Sequence, residues 1–74
     1  MQIKDAKSFG AAVRACRKRQ KMTQSQLAAV ANTTPRLVGA LENGKPTIQL
    51  DKALRIAWML GMRFEMPDIE MDNK

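Results

Sequence analysis

The stretch TQSQLAAVANTTPRLVGALENGK, residues 23–45, predicts two short helices joined by a tight turn. Its first four residues match the capping box S/T-x-x-E/Q, which marks a helix start. The apolar run that follows ends at Asn32, a residue type that tolerates left-handed backbone. Thr34 and Pro35 begin the next helix, because proline suits the first helical position and keeps the preceding residue extended. Gly44 has the place of the glycine that commonly follows a helix.

Longer helical patterns lie on both sides of this stretch. Asp5 is a candidate N-cap, and the apolar residues after it recur at the spacing of one helical face. The sequence therefore predicts helices over residues 6–20, 24–31, 35–43 and 50–60. Residues 62–66 alternate apolar and polar side chains before a proline, which predicts one short strand. Since no second strand pattern exists, its expected partner is the same strand of another copy or an edge of another protein.

The charge of the chain is divided unevenly along its length. Residues 1–63 hold twelve Lys and Arg against three acids, a net charge of +9, whereas residues 64–74 hold four acids against one Lys, a net charge of −3. A basic body suits a polyanion such as DNA, because neutralising phosphates releases counterions. The alternative is a solvated basic surface that aids solubility. The tail over residues 67–74 is expected to be acidic and disordered.

Composition argues against several classes of protein. The chain has 74 residues, one Cys and no His, so an internal disulfide, zinc-finger spacings and a Cys–His catalytic pair are absent. There is no glycine-rich phosphate loop, so we expect neither an enzyme nor a bound cofactor. No apolar run reaches membrane-spanning length, and the first ten residues lack the apolar core of a signal peptide. These features favour a reducing cytoplasm.

The segment over residues 9–60, about 70% of the chain, resembles the lambda-repressor-like (XRE-type) helix-turn-helix family. The likeness lies in RACRKRQKMTQSQLA, in the turn ANTTP, and in LENGK followed by a helix ending in LG. The ending LENGKPTIQLDKALRIAWMLGMRFEM is similar to HipB-like antitoxins, in which such a helix leads to a strand that pairs across a homodimer. The resemblance implies an all-α domain of four helices over residues 1–61, a dimerisation strand over 62–66 and a tail over 67–74.

The same resemblance implies a function. HipB-like proteins are bacterial cytoplasmic repressors that bind double-stranded, palindromic operator DNA as homodimers, regulate their own operon and hold a HipA-like kinase toxin. Two alternatives fit the helices as well: an XRE-type phage or chromosomal regulator without a toxin, and an antitoxin that mainly binds protein and has weak affinity for DNA. A HipA-like kinase reading frame beside this gene favours the antitoxin, and a phage cluster argues against it.

The start of the second helix of the motif reads bases in the resembled family. The corresponding positions here are Thr34, Pro35, Arg36, Leu37 and Ala40. Arg36 is the best candidate for sequence readout, because a guanidinium can bond guanine O6 and N7 together; pairing with phosphate or solvent is the alternative. Leu37 is predicted to face outward, to contact a thymine methyl or to be an ordinary surface leucine. Gly39 allows close backbone approach or marks a reader of DNA shape.

The resemblance also implies contacts to the DNA backbone, at Thr23, Gln24, Asn43 and Lys45. Gln24 lies at a helix start, where N–H groups and the helix dipole favour an anion. The hydroxyl of Thr23 is also required as a cap, and Lys45 is alternatively a solvated loop lysine. Arg17 and Glu42 correspond to a structural salt bridge between the first and third helices, with direct DNA contact by Arg17 as the minority alternative.

Apolar residues exceed what a small four-helix core requires. The candidates for the core are Phe9, Val13, Met22, Leu27, Val30, Val38, Leu41, Leu54 and Leu60. The remaining apolar residues near the C-terminus are therefore predicted to form the dimer interface: Ile56, Trp58, Met59, Met62, Phe64 and Met66. Trp58 has the alternative of covering the core of its own monomer.

Overall fold

The computed structural model describes residues 3–63, which form four helices and no strand. The helices are α1 (Ala6–Arg19), α2 (Gln24–Val30), α3 (Pro35–Glu42) and α4 (Leu50–Met59). The prediction of an all-helical helix-turn-helix fold is confirmed. The predicted ends of α1, α3 and α4 are the C-cap residues in the structure, Gln20, Asn43 and Leu60.

Local hydrogen bonds explain where the two short helices begin. The hydroxyl of Thr23 accepts from the backbone N–H of Gln26 at 3.0 Å, and the Gln26 side chain accepts from the N–H of Thr23 at 2.8 Å. The hydroxyl of Thr34 accepts from the backbone N–H of Leu37 at 3.2 Å, with Pro35 at the first helical position. These bonds satisfy N–H groups that have no partner inside a helix.

Left-handed residues allow the chain to change direction between helices. Asn32, with φ 58°, follows α2, and Gly44, with φ 84°, follows α3. At Gly44 a side chain would also meet the Cα of Lys7 at 2.9 Å, so the position favours glycine for two reasons. The tight turn between α2 and α3 is therefore specified by Asn32, where α2 ends, and by Thr34, the cap that begins α3.

The core lies where α3 and α4 pack onto α1 and α2. Its largest fully buried side chains are Leu27, Ile56, Val13 and Val38. Small residues fill the space between helices and were not predicted as core: Ala12, Ala28, Ala31, Ala53 and Ala57. Alanines at these positions allow the helix axes to approach closely, so a domain of this size reaches a dense interior with few large side chains.

Three predictions about apolar residues were wrong. Val30 and Leu54 were predicted in the core, but they are 50% and 40% exposed. Ile56 was predicted in the dimer interface, but it is 1% exposed inside the monomer. For the two residues of α4 the reason is the rotation of the helix: Ala53, Ile56 and Ala57 share the stripe that faces the other helices, which leaves Leu54 on the outside. Val30 is the last residue of α2, where Leu27 and Ala28 are the residues that face the core.

Helices α1 and α3 touch at a glycine that the sequence analysis did not identify. A Cβ atom on Gly10 would lie 2.2 Å from the carbonyl oxygen of Leu41 and 2.9 Å from that of Glu42. These oxygens belong to the backbone at the end of α3, so they cannot rotate away. The absence of a side chain at Gly10 thus sets how closely α1 supports the end of α3.

The C-terminal predictions fall mainly beyond the described residues. Met62 and Arg63 belong to no helix or strand, and the rest of the predicted strand, with Phe64 and Met66, lies outside residues 3–63. The strand therefore stays a prediction. In the part of the chain that the structure describes, no helix is long and apolar enough to cross a membrane.

Candidate nucleic-acid interface

Helix α3 has two faces of opposite character. Val38, Leu41 and Glu42 are buried against the other helices. On the opposite side Arg36, Ala40 and Asn43 follow the spacing i, i+4, i+7, and both Arg36 and Asn43 are exposed. We call these three residues the outer stripe of α3. The helix is therefore fixed along one side and presents a short row of side chains along the other.

All the hydrogen-bond donors of the Arg36 guanidinium are available to a ligand. It is exposed in the first turn of α3, and within residues 3–63 its guanidinium makes no hydrogen bond or ion pair. A guanidinium has five N–H donors in a planar fork, which matches paired acceptors on a base edge or a phosphate. Of the residues predicted to contact bases, Arg36 is thus the one with free directional donors.

The other predicted base contacts have different surroundings. Leu37 was predicted to face outward, but it is partly buried and packs against the core beside Ile48, so its apolar character has a structural explanation. The hydroxyl of Thr34 is engaged as a helix cap. Pro35 is exposed and Ala40 is partly buried, and neither side chain has a polar group. The free polar side chains that this helix exposes on its outer side are therefore those of Arg36, predicted to contact bases, and Asn43, predicted to contact a phosphate.

A buried ion pair holds α3 against α1. The Nε of Arg17 lies 2.6 Å from one carboxylate oxygen of Glu42, and its Nη2 donates to the other at 3.0 Å. The Nη1 of Arg17 donates to the carbonyl of Met22 at 2.8 Å, in the loop before α2. Residues 17 and 42 are the two buried charged residues among those described. The guanidinium therefore joins α1, the α1–α2 loop and the end of α3.

The surroundings shift the ionisation of both partners. Burial raises the pKa of the Glu42 carboxyl, but the hydrogen bonds from Arg17 and Gln24 together lower it further, so the pKa lies below its usual value of 4.5. The hydrogen bond to Glu42 raises the pKa of Arg17 against the opposing effect of burial. Both groups are thus charged when the domain is folded at neutral pH.

Gln24 is tied into the same network, which the sequence analysis missed. Its Nε2 donates to Glu42 at 3.1 Å, and its amide lies 3.6 Å from where a Cβ on Gly39 would stand. The side chain therefore lies across α3 and is held in one orientation, with one N–H committed to the carboxylate. The donors that remain for an anion are the second N–H of the Gln24 side chain and the backbone N–H groups at the start of α2.

The other residues predicted to contact the DNA backbone lie on the surface of the domain. Thr23 is exposed, but its hydroxyl is engaged as the α2 cap. Asn43 is the C-cap of α3, and Lys45 is exposed just after Gly44. Lys45 therefore lies just beyond Asn43, the last residue of the outer stripe of α3.

Two predicted interface residues remain exposed at the end of α4. Trp58 is 54% exposed and Met59 is 44% exposed, while the guanidinium of Arg63 lies 3.7 Å from the centre of the Trp58 ring. Met62 is partly buried and packs against the core. The structure thus leaves Trp58 and Met59 accessible to a second chain and does not bury the indole in its own monomer.

Comparisons with known proteins identify the fold and the family. The helix-turn-helix family HTH_3 matches residues 13–65. The chain is 41% identical over 64 residues to an uncharacterised HTH-type transcriptional regulator, y4mF, of Sinorhizobium fredii, covering 86% of this chain and 84% of that protein.

Two solved structures share the fold. One is a complex of HipB with an O4 20mer, with a TM-score of 0.82 and 20% identity over 95% of this chain and 99% of that one. The other is a complex of a HipB variant with an O2 20mer, with a TM-score of 0.82 and 18% identity over 95% of this chain and 97% of that one. At these identities the likeness concerns the fold.

Proposed function

The chain belongs to the HTH_3 helix-turn-helix family and is a DNA-binding transcriptional regulator of the XRE type, and on that premise we propose that it is a sequence-specific repressor that reads its operator with α3. The observation that carries the proposal is the outer stripe of α3: Arg36 and Asn43 are exposed opposite a face fixed in the core. A helix presented in this way fits a major groove about 12 Å wide.

Two further features support this reading. The ion pair between Arg17 and Glu42 fixes the angle of α3, so the reading side chains are held before DNA arrives. Preorganisation lowers the entropy lost on binding. Residues 3–63 also carry a net charge of +9, more than the +6 of the whole chain, which gives attraction to phosphates independent of sequence.

Replacing Arg36 tests the proposal. For wild-type protein we expect its own promoter duplex to be preferred over a scrambled duplex by about 10³-fold or more. In Arg36→Ala we expect that preference to fall by about 10-fold or more, because a bidentate contact to guanine contributes about 1–3 kcal/mol of discrimination. Fluorescence anisotropy titrations across a salt series measure both quantities.

The salt dependence separates base readout from phosphate contact. If Arg36 binds a phosphate instead, Arg36→Ala keeps its promoter preference and the slope of log K against log salt becomes shallower by about 0.9 per lost contact. Arg19→Ala is the matched control, because Arg19 is an exposed arginine at the end of α1 that lines a surface depression with no residue of α3. Equal preferences in all three proteins contradict readout by Arg36.

We further propose that the protein acts as a homodimer and as the antitoxin of a HipA-like kinase toxin that represses its own operon. The dimer is supported by the exposed Trp58 and Met59 at the end of α4. Two copies also suit the groove geometry, since recognition helices about 34 Å apart meet successive turns of the duplex. Support for the antitoxin role is the C-terminal sequence, together with a fold that matches HipB over nearly its full length.

Co-expression with the product of the adjacent reading frame tests the antitoxin role. We expect a HipA-like kinase to co-purify with this protein in a stable complex, and light scattering of the same sample to give two copies of this chain. If the adjacent frames encode phage functions, or the kinase elutes alone, the protein is a regulator without a toxin. The DNA measurements with Arg36→Ala are independent of this outcome.

A further inference from the structure

Two basic residues on α4 have no role in the reading of DNA described above. Lys52 and Arg55 are exposed and one turn apart, so they lie on the same side of the helix. Together with Ala31, Asn32 and Thr33 they line a small depression between α4 and the α2–α3 turn. That turn leads directly into Thr34, the N-cap of α3. The two cations are therefore placed beside the end of α3 that carries Arg36.

A second depression continues this basic surface. It is lined by Lys52 together with Leu37, Lys45, Thr47, Ile48 and Gln49. Lys52 is common to both depressions, so Lys45, Lys52 and Arg55 form one row along the side of α3. We call these three residues the basic ridge. Lys45, at one end of the ridge, is already predicted from the sequence to contact the DNA backbone.

The ridge has no acidic side chain to neutralise it among the residues that line either depression. Asp51 is its neighbour in sequence, but its carboxylate accepts from the backbone N–H of Lys52 and lines neither depression. In the described part of the chain the side chains of Lys52 and Arg55 make no hydrogen bond or ion pair. Unpaired cations in a row offer long-range attraction for a row of anions.

We propose that Lys52 and Arg55 bind phosphates of the duplex next to the groove occupied by α3, which extends the contact beyond the helix-turn-helix itself. The inference rests on the proposed function, since it assumes that α3 lies on DNA. Duplex phosphates are the favoured occupant because they are regularly spaced anions and because the ridge is continuous with the start of α3. Such contacts add affinity without reading sequence.

The double variant Lys52→Ala/Arg55→Ala tests this assignment. We expect its affinity for promoter and scrambled duplexes to fall alike, by roughly 10-fold or more near 0.1 M salt. We also expect the slope of log K against log salt to become shallower by about 2 for each bound protomer, because each lost phosphate contact removes about 0.9. The ratio between promoter and scrambled DNA stays at its wild-type value. Circular dichroism verifies that the helices are intact.

Lys18→Ala/Arg19→Ala is the matched control, which removes two exposed cations from α1 that line neither depression. A smaller change of slope in this control supports a local contact by the ridge. An equal change in both double variants overturns the proposal, since it reduces the effect to net charge. An unchanged slope in Lys52→Ala/Arg55→Ala also overturns it, since the two side chains then contact no phosphate.

Failure of the proposed function has a separate signature. In that case the wild-type protein itself shows no preference for its promoter, whatever the ridge variant does. If the wild-type protein lacks promoter preference but Lys52→Ala/Arg55→Ala has a shallower slope of log K against log salt, the phosphate contact stands. Sequence-specific repression is then rejected.

Discussion

Glu42→Gln is expected to lower the free energy of unfolding by about 3–5 kcal/mol, the range found when one partner of a buried ion pair is removed. The substituted amide would keep the shape of the side chain but not its charge. Arg17 as a whole is 7% exposed, so its guanidinium would then be a buried cation without a counter-charge. For a domain of this size such a loss is comparable with its whole stability.

Urea unfolding followed by circular dichroism at 222 nm measures the effect. Asp51→Asn is the control, because it removes an equal charge from an exposed position in the first turn of α4, where the loss of the favourable interaction with the helix dipole is expected to cost at most about 1 kcal/mol. The double variant Arg17→Met/Glu42→Leu should recover much of the loss, since apolar replacement of a buried pair is often neutral. If Glu42→Gln is as stable as Asp51→Asn, the pair does not hold α3 in place.

The same pair predicts the direction of the acid response. Because the pKa of Glu42 is lower in the folded protein than its usual 4.5, the folded state favours the ionised carboxylate. Its contribution to stability is complete above that value and is lost as the pH falls below it through the folded pKa. Wild-type protein should therefore lose more stability between neutral pH and acid than Glu42→Gln does.

Gly10→Ala is expected to destabilise the domain by about 2 kcal/mol or more, even though alanine is the better helix former by about 1 kcal/mol. The new methyl group would meet the Leu41 carbonyl oxygen at 2.2 Å, so α1 and α3 must separate. In a domain of this length the loss corresponds to a fall in Tm of roughly 10 °C. Differential scanning calorimetry gives the value directly.

Gly39→Ala is the matched control, since it also places alanine at a helical glycine. Its Cβ would meet Gln24 at 3.6 Å, an ordinary contact, so we expect Tm to stay the same or rise. A rise for Gly39→Ala and a fall for Gly10→Ala separate close packing from helix propensity. Equal rises in both variants contradict the close approach of α1 to α3.

Helix boundaries could be predicted from the sequence because their causes are local. Thr23 and Thr34 cap helices through bonds to residues three positions away, and Gly44 ends α3 through its own backbone conformation. Such bonds depend on a few neighbouring residues, and therefore a sequence pattern of four or five residues is sufficient to indicate them.

Packing between helices could not be predicted in the same way. Leu54 and Ile56 are both apolar residues of α4, and only the rotation of the helix decides that Ile56 is buried and Leu54 is not. Gly10 gives no local signal, since its role comes from backbone atoms more than thirty positions away in α3. The spacing of apolar residues along a helix gives the width of its apolar stripe, but it does not say which residues of the other helices pack against that stripe.

The candidate site shows the same division. Arg36 could be singled out from its place at the start of α3, and it is exposed there. The partial burial of Leu37 depends on Ile48 in the loop after α3, and the bond from Gln24 to Glu42 depends on how α2 crosses α3. These relations between elements appear only in three dimensions.

Methylation interference on the promoter duplex tests most directly whether α3 lies in the major groove. Dimethyl sulfate modifies guanine at N7, which faces the major groove, and adenine at N3, which faces the minor groove. We predict that methylated guanines within the site are depleted from the bound fraction, and that Arg36→Ala becomes insensitive to at least one of them. Interference from adenine N3 alone, or from no base at all, would contradict the account.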